Sequence, residues 1–362
     1  MKIFLSILVM SVLLSATEFH TVFQKKIFLD KNTTGELVLQ EESFQTLAEE
    51  PAKILINYEV NGTKKEYLFR DSSKKFPILY FDKPTYNTKI DESVNLVNSV
   101  NIFDIDSDGT NEMFLYGTSH YGGSGLVGKL LVLKKNKRGN VAKIGIIEAH
   151  DNFEMHYIKE ENIIVAAQYI WRQGIEGHYG DTHRYKLDVY TLNDRLKKIP
   201  IYITEKKYND QNSSIIDDNL EIVLAKYRIY NKNHISQEEQ TKYRNFVQNY
   251  WDKVSQKDFE FIKQVFSDTA YYYTKRLNKE DILKDKKSVL KNIKKMTFDL
   301  NDFFIYKEKE TIKIEYLKTY DIEGSMDGGT VKSLMVLEKV GNKLLITNES
   351  DPMILYQQKD LD

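Results

Sequence analysis

The sequence predicts two domains, an N-terminal part built mainly of antiparallel β-strands and a C-terminal α+β part. Three observations carry this. The 362 residues are enough for two cores of ordinary size. The first half breaks into short apolar or β-branched runs separated by polar turns. After about residue 234 the apolar spacing changes to three and four residues, and then returns to alternation.

The chain opens with Lys2, the apolar run Ile3 to Leu14 and the small pair Ser15-Ala16. That is the pattern of a secretory signal peptide over residues 1–16, cleaved after Ala16, and it predicts an exported protein, periplasmic or extracellular. No later stretch approaches the roughly 18 consecutive apolar residues of a membrane helix, so no transmembrane segment is expected in the mature chain. The absence of cysteine excludes disulfides, cysteine-ligated zinc, iron–sulfur clusters and a thiol nucleophile. A formal net charge of −1 gives no general attraction to nucleic acid, which is not an expected partner. The basic run Lys134 to Arg138 is expected on a solvated turn.

Residues 17–205 form the expected β domain. Its strands include Ile27 to Leu29, Leu130 to Leu133, Asn162 to Trp171 and Tyr185 to Leu192. Asn61-Gly62, between Lys53 to Val60 and Thr63 to Phe69, is the strongest short hairpin signal in the chain. Glu41 to Glu49, ahead of Pro51, is expected as a short helix. Residues 206–233 are polar at first and read as a connecting segment, with Leu220 to Tyr230 a last strand or helix.

Residues 234–362 form the expected α+β domain. Ser236 and Glu239 make a capping box, and the helix they announce places Tyr243, Phe246, Val247, Tyr250, Trp251 and Val254 on one face. A second helix starts near Asp258 and buries Phe259, Ile262, Val265 and Phe266. A third starts near Asn278 and buries Ile282, Leu290 and Ile293. Asp299 to Tyr306, Thr311 to Asp321, Thr330 to Lys339 and Lys343 to Glu349 then alternate as an antiparallel meander.

One motif points to a ligand. In Asp104-Ile105-Asp106-Ser107-Asp108-Gly109-Thr110-Asn111-Glu112, carboxylates fall at alternate positions and a glycine stands sixth. Alternate oxygens project to one side, and Gly109 permits the left-handed turn that closes them on a cation. An EF-hand would need a bidentate Glu at position twelve, where this chain has Leu115, and flanking helices where it has strand-like runs. The motif instead resembles the FG-GAP or VCBS-type calcium repeat of extracellular β-proteins. That resemblance implies a structural calcium ion held by Asp104, Asp106, Asp108, the carbonyl of Thr110 and Glu112, although the family commonly has Asp at the last position. Asp30 to Gly35 is at most a degenerate second copy. The competing reading is a solvated Asp/Gly turn that binds nothing.

The order of three helices and then strands, with Ser267 to Tyr273 as a further strand, resembles the nuclear-transport-factor-2-like cone fold over roughly His234 to Asp351. The resemblance implies helices packed on a curved antiparallel sheet, with a pocket between them used for ligands, catalysis or dimerisation. Tyr250, Trp251, Tyr271 and Tyr273 are the residues placed to line such a pocket, against the alternative that they are core. No histidine follows His234, and no pair of catalytic carboxylates stands out. His150, His156, His178 and His183, with Asp151, Glu176 and Asp181, are the one concentration of histidine, but their spacing matches no standard metal motif. Tyr121 to Gly125 is glycine-rich, yet lacks the Lys and Ser/Thr of a phosphate loop and reads as a turn. The expectation is an exported calcium-binding protein that binds a small molecule, peptide or envelope component. The alternatives are a hydrolase or isomerase with its site in the C-terminal pocket, and a structural module that forms a homodimer through that domain.

Overall fold

The structure, a computed structural model, describes residues 18–43, 50–73, 76–120, 126–150, 154–170, 182–192, 195–209, 214–233, 235–324 and 328–357. The expected leader, the glycine-rich 121–125 segment and most of the expected helix at 41–49 lie outside the described residues. Glu41 and Glu42 themselves end a strand. By internal contacts the chain divides into two compact units, Met1–Ile164 with Leu192–Leu196, and Val165–Thr191 with Lys197–Asp362.

In the first unit, β1 (Phe19–Asp30), β2 (Thr33–Glu42), β3 (Lys53–Val60) and β4 (Thr63–Arg70) form a four-stranded antiparallel sheet in chain order. Asn61 and Gly62 both adopt positive φ, 50° and 75°, as the tight turn between β3 and β4 requires. The second sheet takes β5 (Thr85–Asn87), then, after the short β6 (Ser93–Asn95), β7 (Ser99–Phe103), β8 (Glu112–His120), β9 (Leu126–Lys135) and β10 (Val141–His150). Its order is β10-β9-β8-β7-β5, antiparallel except for the parallel pair β5 and β7. The inward side chains of the two sheets, among them Ile27, Leu37 and Ile54 from one and Val100, Leu115 and Leu133 from the other, share one core. β11 (Glu154–Ile158) pairs with β6.

In the second unit, β12 (Ile163–Tyr169), which begins at the division, neighbours β14 (Tyr185–Leu192), and β14 neighbours β15 (Leu196–Ile203). The two-residue strands β13 (Thr182–His183) and β16 (Tyr208–Asn209) pair with each other. The connecting segment holds a full helix, α1 (Ile215–Lys232), capped by Ser214. α2 (Gln237–Ser255) carries the expected capping box, and α3 (Phe259–Val265) is capped by Asp258. Phe266 is not helical as expected. It begins β17 (Phe266–Tyr272), since α3 ends after two turns. β18 (Lys275–Asn278), α4 (Lys279–Leu290), β19 (Met296–Glu308), β20 (Thr311–Ile322), β21 (Gly329–Val340) and β22 (Lys343–Gln357) complete the chain order.

These strands form a six-stranded sheet, β18-β17-β22-β21-β20-β19. The meander from β19 to β22 is antiparallel, but β17 and β22 run parallel, so the sheet is mixed rather than wholly antiparallel. The pairing is possible because α4 and four strands intervene, which is long enough for the crossover a parallel pair needs. Val247, Tyr250 and Trp251 of α2 pack with Ile262, Ile282, Ile314, Met335 and Ile346 in a second core. β20 alternates strictly, with Ile312, Ile314, Tyr316 and Lys318 on the buried side.

Candidate functional sites

The aspartate loop joins β7 to β8. Ser107 and Gly109 adopt positive φ, 58° and 84°, and the loop closes on its own amides. The Asp104 carboxylate accepts from Asp108 N at 3.1 Å and Gly109 N at 2.7 Å, and Asp108 Oδ1 accepts from Thr110 N at 2.9 Å. Thr110 forms an isolated antiparallel bridge with Asp30, and Asn111 N donates to Leu29 O at 2.8 Å, which ties the loop to β1. Among the described residues, Asp104, Asp106 and Asp108 are the one group of three or more metal-ligating side chains whose oxygens come within 4.8 Å of one another.

Lys134 is not on a solvated turn. β8 and β9 place it directly opposite Glu112, and its Nζ lies 2.5 Å from Glu112 Oε1, 2.6 Å from Asp106 Oδ2 and 3.0 Å from Asp108 Oδ2. Lys135 beside it pairs with Asp30. Burial pushes the Glu112 carboxyl above its usual value, and the nearby Lys134 only partly offsets this. At Asp108 burial acts in the same direction, but hydrogen bonds from Lys134 and Thr110 outweigh it and hold the carboxyl below its usual value. Glu112 Oε2 accepts from Ile105 N at 2.9 Å. Three carboxylates, those of Asp106, Asp108 and Glu112, therefore share one ammonium, and with Asp104 beside them the loop carries an excess of three negative charges if all are ionised. That donor set fits a hard divalent cation, with the three aspartates as its carboxylate ligands and Glu112 engaged by Lys134 and Ile105.

The second site is a cavity of about 930 Å³ in the second unit. Trp251, Val254, Leu290, Ile293, Phe298 and Ile322 give it apolar walls, and the buried Lys286 and Lys318 and the part-buried Asp351 belong to its polar lining. Lys286 Nζ donates to Glu349 Oε1 at 2.8 Å, and the other oxygen of Glu349 takes a short hydrogen bond from the Tyr250 hydroxyl. Lys318 Nζ reaches both oxygens of Asp351, at 3.0 and 2.9 Å, and Ser333 Oγ donates to Asp351 Oδ1 at 2.6 Å. Lys318 also lies 4.0 Å from the centre of the Trp251 ring, whose Nε1 donates to Tyr316 OH at 2.8 Å. Burial lowers the Lys318 amine, against the opposing pull of Asp351. Burial, then the carboxylates of Glu349 and Asp285, push the Tyr272 phenol far above its ordinary value.

Of the four aromatics singled out in the sequence, Trp251 and Tyr273 line this cavity. Tyr250 is fully buried behind it on Glu349, and Tyr271 is half-exposed, with its hydroxyl on Thr274 O at 3.3 Å. Tyr272 lines the cavity beside Tyr273, since β17 ends at Tyr272 and Tyr273 takes a positive φ of 52° that breaks strand alternation. The residues sequence reasoning missed had a readable signal. Lys286 falls between Ile282 and Leu290 on the inward stripe of α4, Lys318 follows Ile314 and Tyr316 on the inward side of β20, and Ser333 sits between Val331 and Met335 on β21. Polar side chains on such stripes mark a built polar feature inside a core.

Of the histidine group, His178, Asp151, Glu176 and Asp181 lie outside the described residues. His156 lies near Ser93 on β6, and His183 is in the short β13. Among the described helices none is long and apolar enough to cross a membrane.

No family model matches the chain, and no curated protein does. Solved structures with NTF2-like or cystatin-like folds match about a third of it. An NTF2-like protein of unknown function from Pseudomonas putida shares 12% identity over 32% of this chain and 87% of its own, with a TM-score of 0.29. Aln2 from a Streptomyces species shares 15% over 35% of this chain and 95% of its own, with a TM-score of 0.30. Bd1075 from Bdellovibrio bacteriovorus shares 12% over 61% of this chain and 87% of its own, with a TM-score of 0.29.

Proposed function

We propose that this is an exported binding protein whose C-terminal, NTF2-like cone holds a mainly apolar small molecule and whose N-terminal β domain is fastened by calcium. The single observation that carries the binding role is the cavity of about 930 Å³, which lies within the range of sites that enclose a small organic ligand. Its walls are mainly apolar, and its two buried lysines are held in hydrogen-bonded pairs with Glu349 and Asp351, an arrangement suited to holding a ligand rather than to transferring protons. Native mass spectrometry of protein purified from its own host tests the reading. A retained small molecule is expected, and it should be lost when Val254→Trp fills the cavity. Host-purified protein that carries nothing and takes up no apolar dye would sink it.

The calcium reading rests on the surplus of negative charge around Lys134. Asp104, Asp106 and Asp108 are the residues that would hold the ion, and its role would be structural. Added calcium should raise the melting temperature of the wild type and leave Asp106→Ala/Asp108→Ala unmoved. Equal shifts in both proteins, or none, would remove the site. Export rests on the apolar leader, and a secreted, shortened chain in the host is its test.

A further inference from the structure

The charge balance of the cavity floor bears on what the cavity can accept. Lys286 and Glu349 are both nearly inaccessible, with side-chain exposures of 6% and 2%, and they neutralise each other at 2.8 Å. Lys318 and Asp351 do the same at 2.9 Å. The acids have further donors, Tyr250 on Glu349 and Ser333 on Asp351. A carboxylate or ammonium brought to this floor would therefore be buried without a free counter-charge, and an unpaired charge in such surroundings is strongly penalised. Asp285, Lys294 and Glu323 also border the cavity, but all three are exposed, where water screens their pull on a charged head.

The two lysines differ in one respect. Lys318 directs its ammonium at both Asp351 oxygens and at the Trp251 ring. Among the described residues Lys286 has one hydrogen-bond acceptor, Glu349, and its Nζ lies farther from its rings, 5.5 Å from Tyr250, 5.6 Å from Trp251 and 5.1 Å from Tyr272, while its ammonium has three N–H groups and borders the cavity. A neutral acceptor there would gain a charge-assisted hydrogen bond without disturbing the balance.

We propose that the cavity selects an uncharged, mainly apolar molecule carrying a hydrogen-bond acceptor at its inner end, which accepts from Lys286 Nζ. This rests on the cavity being a ligand site at all, and the experiment separates the two. Nile red, a neutral apolar dye, is bound to the full-length protein near neutral pH and displaced by octan-2-one, octanoate or octylammonium, which share a chain and differ in the head. The ketone is expected to displace the dye at about tenfold lower concentration than either ion, equivalent to about 1.4 kcal/mol. Octanoate or octylammonium displacing as well as the ketone would overturn the charge selection, while dye binding itself would still uphold the cavity. No dye binding would overturn both. Lys286→Met/Glu349→Gln removes the pair together and avoids leaving a lone buried charge. It should keep the dye and weaken the ketone about tenfold, whereas unchanged ketone displacement would overturn the role of Lys286.

Discussion

The aspartate loop and the cavity floor both gather lysines and acids, yet their charge balances differ. At the partly exposed loop three carboxylates share the Lys134 ammonium and Asp104 adds a fourth negative charge. On the floor, two ammoniums meet two carboxylates inside a core. A surplus of one sign near water invites a counter-ion, whereas a closed balance away from water rejects one. Counting titratable residues in the sequence would not separate these cases. Their partners and their access to solvent do.

Breaking the floor should produce the largest effect. Lys286→Met leaves Glu349 buried without its cation and should cost about 3–5 kcal/mol in urea unfolding, while Lys286→Met/Glu349→Met should recover most of that loss. Near-equal losses in both variants would show that packing, not charge balance, governs the floor. At the loop the effect should be small, since removing Asp106 breaks one ion pair but relieves repulsion and leaves Lys134 paired with Asp108 and Glu112. In calcium-free buffer Asp106→Ala should change stability by less than about 1 kcal/mol.

Calcium gives the next effect. At free calcium about 100 times its dissociation constant, the wild type should gain roughly 2.7 kcal/mol. Lys134→Met, which removes the resident cation, should bind calcium about tenfold more tightly by calorimetry. Weaker binding in that variant would mean that Lys134 organises the loop for the ion rather than competing with it. Gly109→Ala places a side chain at a φ of 84° and should cost about 1–2 kcal/mol in calcium-free buffer, read as a lower urea midpoint.

The smallest effect is in acid. Asp108 is held below its ordinary value of 3.8, so its contribution is fully present above that pH and is lost as pH falls through its folded value. Glu112 is raised above its ordinary value of 4.5, so its cost is present above its folded value and is relieved as pH falls through it. In calcium-free buffer the two trends oppose each other, and Asp108→Asn should lose less stability than the wild type on acidification. A steeper acid loss in Asp108→Asn would contradict these assignments.

Local signals were the legible part of the fold. The capping box at Ser236 and Glu239, the caps at Asp258 and Asn278 and the turn at Asn61-Gly62 each act within a few residues, so the sequence contains the whole cause. The aspartate loop was legible for the same reason. Lys134 was not, because its partners are set by the register between β8 and β9, 22 residues from Glu112 in the chain. The parallel pairing of β17 with β22 likewise depends on distant segments. Tyr272 was missed for a local reason, a single positive φ at Tyr273 that no side-chain pattern announces. The floor lysines were within reach, as charged interruptions of the apolar stripes on α4 and β20.

Glu349 and Asp351 both come from β22, whereas Lys286 and Lys318 come from α4 and β20, made earlier. During synthesis the two lysines therefore emerge before either of their acids. The inner surface of the second unit cannot be sealed until β22 slots between β17 and β21, so neither lysine has its counter-charge before that insertion.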